Sequence, residues 1–364
     1  MVLMGGVVGN TARQLGEVSQ FTLSSGGSIV KGIVRFVVQG KSLSLSRKSV
    51  PNDSILHTWL DQFAITEVPL SYSILSGLSV IGGSLRRQLW IDDEGLRVWP
   101  NLSVLLIGPP GIGKDTIIDA ATEVIDRVHA TTLIAGKTVE YIEEQLVKLG
   151  DPAVCFTGVG ELAAFLGPQD YQAGKMQRLT DILSTGRKVD VSTKGAGRQM
   201  ILHPTMTMIA GSTLPWLRHL PEGSMTGGFV PRFVVTHEDY GKRHVAWVKY
   251  DNSQSDLKAA RAARVAFPEL VRAAVAQWHR AREIVPTADA RDAWRNWYRN
   301  RFDYFSRDVQ EYANRARGQA QKLAMLCAAS RMHGWLEQED YEFSGAVMTH
   351  VASSIEKILK GAKQ

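Results

Sequence analysis

A continuous apolar run, Ser103–Ile107, leads into Gly108-Pro109-Pro110-Gly111-Ile112-Gly113-Lys114-Asp115-Thr116 and then into an amphipathic helical pattern. Glycines at these positions let successive backbone N–H groups turn inward around a phosphate. The head of the following helix adds its partial positive charge, and Lys114 reaches the β- and γ-oxygens. A plain structural glycine turn is the alternative, but the order strand, glycine loop, helix is what phosphate binding requires. One position departs from the usual pattern. The residue after the lysine ordinarily offers a hydroxyl to Mg²⁺, and here it is Asp115, with Thr116 next. Either the Asp115 carboxylate ligates the metal or Thr116 takes that role, as in the Gly-Lys-Gly-Thr of some nucleoside monophosphate kinases. The third possibility is weakened hydrolysis.

Three further apolar runs end in residues suited to the same chemistry. Ala153–Thr157 is followed by Gly158-Val159-Gly160-Glu161, where an acidic pair is expected and only the glutamate is present. Glu161 is placed to orient or deprotonate an attacking water; alternatively it is an acid at a helix N-terminus. Loss of the first acid shifts the Mg²⁺ burden towards Asp115, so the two departures compensate each other. Thr205–Ala210 ends in Gly211-Ser212-Thr213, and a hydroxyl at the tip of a strand lying between the other two suits Ser212 or Thr213 to sensing a γ-phosphate. Thr213 equally suits a helix N-cap. Gly227-Gly228-Phe229-Val230-Pro231-Arg232 then holds an arginine at the start of a last strand, Arg232–Thr236. That arginine reads as a finger acting on a neighbouring subunit's nucleotide.

These groups need a scaffold that brings strand ends together. Short apolar runs alternating with helical segments, including Thr131–Ala135 and Val139–Leu149, predict an α/β core with a mostly parallel sheet between helices. The expected organisation is a basic arm over 1–53, a helical and strand lead-in over 54–100, the core over 101–250 and an all-helical C-terminal domain over 251–364. In the lead-in, Ser54–Arg86 has helical spacing, and Leu89–Ile91 with Leu96–Trp99 predict two short strands. Four helical patterns and no strand follow Asp251.

The 364 residues, 44% hydrophobic and 21% charged, exclude disorder and supply ample core. Cys155 and Cys327 are too few for a disulfide framework or a paired-cysteine metal site and read as core residues. No apolar run is long enough for a membrane span and no leader pattern opens the chain, so a cytoplasmic protein without membrane contact is expected. The net charge of +6 lies mostly in residues 1–50, where Arg13, Lys31, Arg35, Lys41, Arg47 and Lys48 face only Glu17. Such an arm suits a polyanion partner or is simply solvated. Its alternating run Ile29–Val38 predicts a hairpin strand.

Together, GPPGIGKDT, the GVGE strand end, TMIAGST and GGFVPRFVV resemble the AAA+ ATPases, specifically the helicase-like replication ATPases of phages and prophages. The likeness runs from Ser71 to about Leu359 and leaves residues 1–50 uncovered. It implies a P-loop core with a C-terminal helical lid, ATP and Mg²⁺ as cofactors, a homo-oligomeric ring of six, and the cytoplasm of a bacterial host. The motif order is also similar to that of the minichromosome maintenance helicases, where an arginine directly before phenylalanine opens the last core strand, as Arg232-Phe233 does. By that resemblance Arg317 is a second sensor for the phosphate, with Arg315 as the fallback, or else a surface cation.

Between the acidic and sensing strands, two alternating runs flank Lys194-Gly195-Ala196-Gly197-Arg198, which predicts a β-hairpin. Related helicases place a hairpin that projects into the ring channel there. Lys194 and Arg198 suit backbone phosphates of DNA, single-stranded and without sequence preference, although hairpin tips are commonly charged. The aromatic and arginine run from Trp294 to Phe305 has helical spacing and reads as core packing. The leading expectation is therefore a ring-forming ATP-dependent DNA translocase or helicase acting in replication of a phage or mobile element. A helicase loader, a weakly hydrolysing DNA-binding scaffold and a small-molecule kinase are the alternatives.

Overall fold

The computed structural model describes residues 23–25, 28–30 and 45–362, apart from positions 137, 168, 185, 194–196, 221–223, 225–227, 302–304 and 306–309. The chain divides into two compact units, 1–43 and 44–364. In the first, β1 (Leu23–Ser25) pairs antiparallel with β2 (Ser28–Val30). Most of the predicted strand Ile29–Val38 lies outside the described residues.

The second unit begins with α1 (Leu56–Gln62), α2 (Leu70–Leu85), β3 (Leu89–Trp90), β4 (Val104–Ile107), α3 (Lys114–Val128), β5 (Thr132–Leu133), α4 (Val139–Leu149) and β6 (Val154–Val159). It continues with α5 (Leu162–Leu166), α6 (Gln169–Leu183), β7 (Val189–Thr193), β8 (Gly197–Ile201), β9 (Thr205–Ser212), α7 (Leu214–Leu217) and β10 (Val234–His237). Four helices and one short strand complete it: α8 (Gln254–Gln277), β11 (Arg282–Glu283), α9 (Ala288–Asn300), α10 (Gln310–Ser330) and α11 (Gln338–Ala362).

Five strands form one sheet in the order β10-β4-β9-β6-β5, and every neighbouring pair is parallel. Both faces are covered, which is why β4 and β9 are buried at every position; β4 reads as an unbroken apolar run, and β9 carries Thr205, Thr207 and Ser212 among its apolar residues. The predicted Thr131–Ala135 shrinks to two residues because β5 is the sheet edge, with Thr132 in solvent.

The helical stretch predicted over 54–86 is two helices. Pro69, which has no N–H to donate, sits at the N-cap of α2 and breaks the run. From Ser71 to Leu85 every residue of α2 is buried. Glycines make that closeness possible: a Cβ at Gly82 would lie 2.3 Å from the Pro100 carbonyl, and one at Gly83 would lie 2.6 Å from Phe156. Two of the buried hydroxyls of α2 reach outside the helix, Tyr72 donating to the Ile107 carbonyl at 2.6 Å and Ser79 to that of Leu102 at 2.7 Å.

The four predicted C-terminal helices are present, within the same unit as the sheet. Tyr312 of α10 donates to the Phe233 carbonyl at 2.7 Å, and His350 of α11 meets Thr236 Oγ1 of β10 at 2.8 Å. Contrary to expectation a strand follows Asp251: Arg282–Glu283 pairs with β3, and its exposed charges carry no strand signal. Trp297 is buried and stacks on Trp294 at 5.4 Å, as core packing requires. Both cysteines are free and buried. Among the described residues no helix is long and apolar enough to cross a membrane.

Candidate active site

The loop between β4 and α3 is shaped by its glycines. Gly111 and Gly113 have φ of 80° and 92°, a region side chains rarely adopt. A Cβ at Gly108 would lie 2.5 Å from the Tyr72 hydroxyl and 2.7 Å from the Glu238 carbonyl. Lys114 opens α3 and is buried. Its ammonium donates to the carbonyls of Gly108 at 2.7 Å and Pro109 at 2.8 Å. Burial lowers its pKa from the ordinary lysine value, opposed by the charges of Glu161 and Asp115. Those two carboxylates are therefore electrostatic neighbours of the lysine.

Asp115 and Thr116 are both exposed at the head of α3. They differ in what they face. The Asp115 carboxylate lies at the end of β6, where a Cβ on Gly160 would come within 2.8 Å of its Oδ1. Glu161 follows directly as the N-cap residue of α5, yet its side chain makes no capping hydrogen bond. The helix therefore leaves this carboxylate available.

β9 lies between β4 and β6, pairing Ser212 with Ile107 and Ala210 with Val159. The Ser212 carbonyl accepts from the Gly108 N–H at 3.3 Å. Ser212 Oγ is buried with no hydrogen-bond partner among the described residues, a costly arrangement unless a ligand satisfies it. Thr213 is the N-cap residue of α7 and also makes no side-chain cap bond. Left-handed glycines, a lysine, two carboxylates and Ser212, whose carbonyl accepts from the Gly108 N–H, meet at one loop, a donor set that fits a magnesium-bound nucleoside triphosphate.

Arg232 is elsewhere. It ends a 3₁₀ turn, Val230–Arg232, ahead of β10, whose register pairs Val234 with Val104 and His237 with Ile107. The arginine thus lies beyond the sheet edge opposite to the loop. Its Nε donates to Ser184 Oγ at 2.9 Å and Nη1 donates to the Gly228 carbonyl. Burial and the nearby charges of Arg315 and Arg187 lower its pKa, while Asp181 opposes them. Arg317 pairs with Asp93 instead. Two positions apart on α10, the two arginines point in different directions, and it is Arg315 that shares the Arg232 neighbourhood.

The hairpin over 189–201 is present, in register from Val189↔Ile201 to Thr193↔Gly197. Lys194 lies outside the described residues. Arg198 is exposed, with its Nε donating to Asp190 at 2.7 Å across the hairpin. Sequence patterns gave no warning of the residues that floor the loop: Tyr72, Val68, which a Cβ on Gly113 would meet at 2.8 Å, and Glu238, which accepts from Ser71 at 2.5 Å. They come from segments distant in sequence, and the SYS at the head of α2 reads simply as a polar helix start.

No family model matches this sequence, and no curated protein matches it. Among solved structures, the chain is similar to a full-length MCM homolog from Methanopyrus kandleri at 14% identity and a TM-score of 0.44, covering 82% of this chain and 59% of that one. The likeness thus spans less than two thirds of that protein's length.

Proposed function

We propose that this chain is an AAA+-type ATP hydrolase that assembles as a homo-oligomeric ring, a hexamer, and drives translocation or unwinding of DNA in replication of a phage or mobile element. The observation that carries the ATPase reading is the convergence of buried Lys114 with Asp115 and Glu161 on the Gly108–Gly113 loop, against which β9 ends at Ser212. The loop N–H groups and Lys114 hold the phosphates of ATP. Asp115, with Thr116 beside it, is the group for Mg²⁺, which when bound supplies charge neutralisation at the β- and γ-oxygens. Glu161 orients the attacking water and takes its proton; Ser212 and Thr213 report the γ-phosphate.

The position of Arg232 supports the ring. β10 has four residues, about 13 Å of strand, between the arginine's turn and the level of the loop. Its guanidinium therefore serves a neighbour's nucleotide, with Arg315 alongside. Arg317, bound to Asp93, is a weaker second sensor than the resemblance implies. The DNA reading rests on the hairpin: an exposed pair such as Arg198–Asp190 contributes little in water and exchanges readily for a backbone phosphate.

ATP turnover measured with and without single-stranded DNA, beside a mass measurement in ATP and Mg²⁺, tests the proposal. DNA-stimulated turnover by an ATP-dependent oligomer is expected. DNA binding without turnover would make the chain a scaffold or loader. A monomer indifferent to DNA would return it to the small-molecule kinases.

A further inference from the structure

We infer that the segment 240–250, which leaves the end of β10, is a second nucleic-acid surface, a platform on which unpaired bases of a single strand stack while the cations between the rings hold its phosphates. Such a surface needs neither bound nucleotide nor turnover and so stands apart from the proposed motor.

The segment runs Tyr240-Gly241-Lys242-Arg243-His244-Val245-Ala246-Trp247-Val248-Lys249-Tyr250. It contains no carboxylate, and Asp239 and Asp251 bracket it. Tyr240, Trp247 and Tyr250 stand in solvent, 82%, 67% and 72% exposed. Rings of this size ordinarily supply core, as the fully buried Trp59 and Trp278 do here. Several together in solvent mark a contact surface.

The backbone beneath them is held in place. Val245 N–H donates to Glu67 Oε1 at 2.7 Å, Lys242 N–H to the Glu67 carbonyl at 3.1 Å, and Asn252 Nδ2 to the Ile65 carbonyl at 3.1 Å. Trp247 N–H donates to Asp251 at 2.8 Å, and the Trp247 carbonyl accepts from the N–H groups of Tyr250 and Asp251. One tight turn thus carries both Trp247 and Tyr250. Their rings are 6.1 Å apart and inclined at 64°, edge to face rather than stacked, which leaves ring faces open to a base. Lys249 Nζ lies 5.3 Å from the centre of the Tyr250 ring. Because the turn is ordered before anything binds, little freedom is lost on contact.

Charge selects the partner. Lys242 donates to the Phe63 carbonyl at 2.5 Å, and burial together with the charges of Arg243 and Arg47 pushes its pKa down to about 8. A phosphate would relieve that crowding of cations. Contacts between proteins are depleted of lysine, whereas rings interleaved with cations hold single strands without reading their sequence. A duplex keeps its base faces stacked inside, where these rings cannot reach. The hairpin over 189–201 is a separate place. Just after it the Leu202 carbonyl accepts from Ala153 N–H at 2.9 Å, ahead of β6, whereas 240–250 follows the finish of β10 in the same parallel sheet.

The test is fluorescence anisotropy of a labelled thymidine oligodeoxynucleotide of about 15 nucleotides, titrated with the full chain in the absence of ATP. Trp247→Ala and Tyr250→Ala are each expected to weaken binding about five- to a hundredfold, what stacking one base contributes. Trp247→Phe should retain most of the affinity yet lose much of the quenching of tryptophan emission that the oligonucleotide produces in the wild-type chain. Lys249→Ala should lower the slope of log affinity against log salt by about 0.7. Unchanged melting temperatures report that these surface variants are folded. Wild-type affinity in the double variant Trp247→Ala/Tyr250→Ala overturns the inference, as does equal binding of a duplex of the same length or no binding by the wild-type chain. A double variant that keeps its affinity but assembles less would make the surface a contact between copies of this chain. Loss of binding in Arg198→Ala alone would leave the hairpin as the DNA contact and remove this one.

Discussion

Lys114 is a buried ammonium whose hydrogen bonds run to the backbone of its own loop, which holds its charge where a phosphate would bind. Lys114→Ala is expected to weaken ATP binding by about ten- to a hundredfold, from the roughly 1.5–3 kcal/mol of a charge-assisted hydrogen bond. Titration with a fluorescent ATP analogue measures it, and near-normal affinity would take the loop assignment away. In the proposed reaction Glu161 belongs to the chemical step. With no capping bond to lose, Glu161→Gln should keep ATP affinity and cost about 10²–10⁴ in turnover. A variant that hydrolyses normally would leave the glutamate as no more than an acid at the head of α5. The sequence offered Ser212 and Thr213 on equal terms, and burial separates them: one hydroxyl is sealed in without a partner, the other stands at a helix start.

At the level of elements, α2 is surrounded on all sides and tolerates no added bulk. Gly83→Ala would place a methyl 2.6 Å from Phe156 of β6 and should cost about 1–3 kcal/mol, read as a lower melting temperature. Gly318→Ala in α10 is the control, since nothing lies within 4 Å of the new Cβ; it should stabilise by up to about 1 kcal/mol. If both fell equally, the loss would not come from crowding at α2. The parallel sheet and the loop were readable in the sequence because buried strands are uniformly apolar and a phosphate loop dictates residue types at consecutive positions. What depends on packing was not. Nothing in the 54–86 pattern except Pro69 marks the break between α1 and α2, and the choice between Arg315 and Arg317 is set by how α10 rolls against its neighbours. The pair Arg282–Glu283 becomes a strand only because β3 is there to receive it.

At the level of the whole molecule, Arg232 and the glycine loop lie at opposite ends of the sheet. Arg232→Ala is expected to keep nucleotide affinity and lose about 10³ or more in turnover, as removal of an arginine finger does. Mixing it with Lys114→Ala should return part of the activity, because some interfaces then pair an intact loop with an intact arginine. Normal turnover by Arg232→Ala alone would leave the residue as a cation closing a turn. β10 connects the two through a very short piece of backbone. At its start is the Arg232 turn; at its end the Glu238 N–H donates to Ile107 at 3.0 Å and the Glu238 carbonyl closes against Gly108. A hydrogen-bonded strand of four residues has almost no give along its axis, so under the proposed function it would act as a push-rod between the Arg232 turn and the loop. In the proposed assembly, displacement of the arginine by an adjacent subunit's phosphates would be felt at the floor of the rod's own loop, and by reciprocity the loop's occupancy would bias the arginine. In the proposed ring, subunits joined by such rods would have their turnover coupled through the stiffness of one strand.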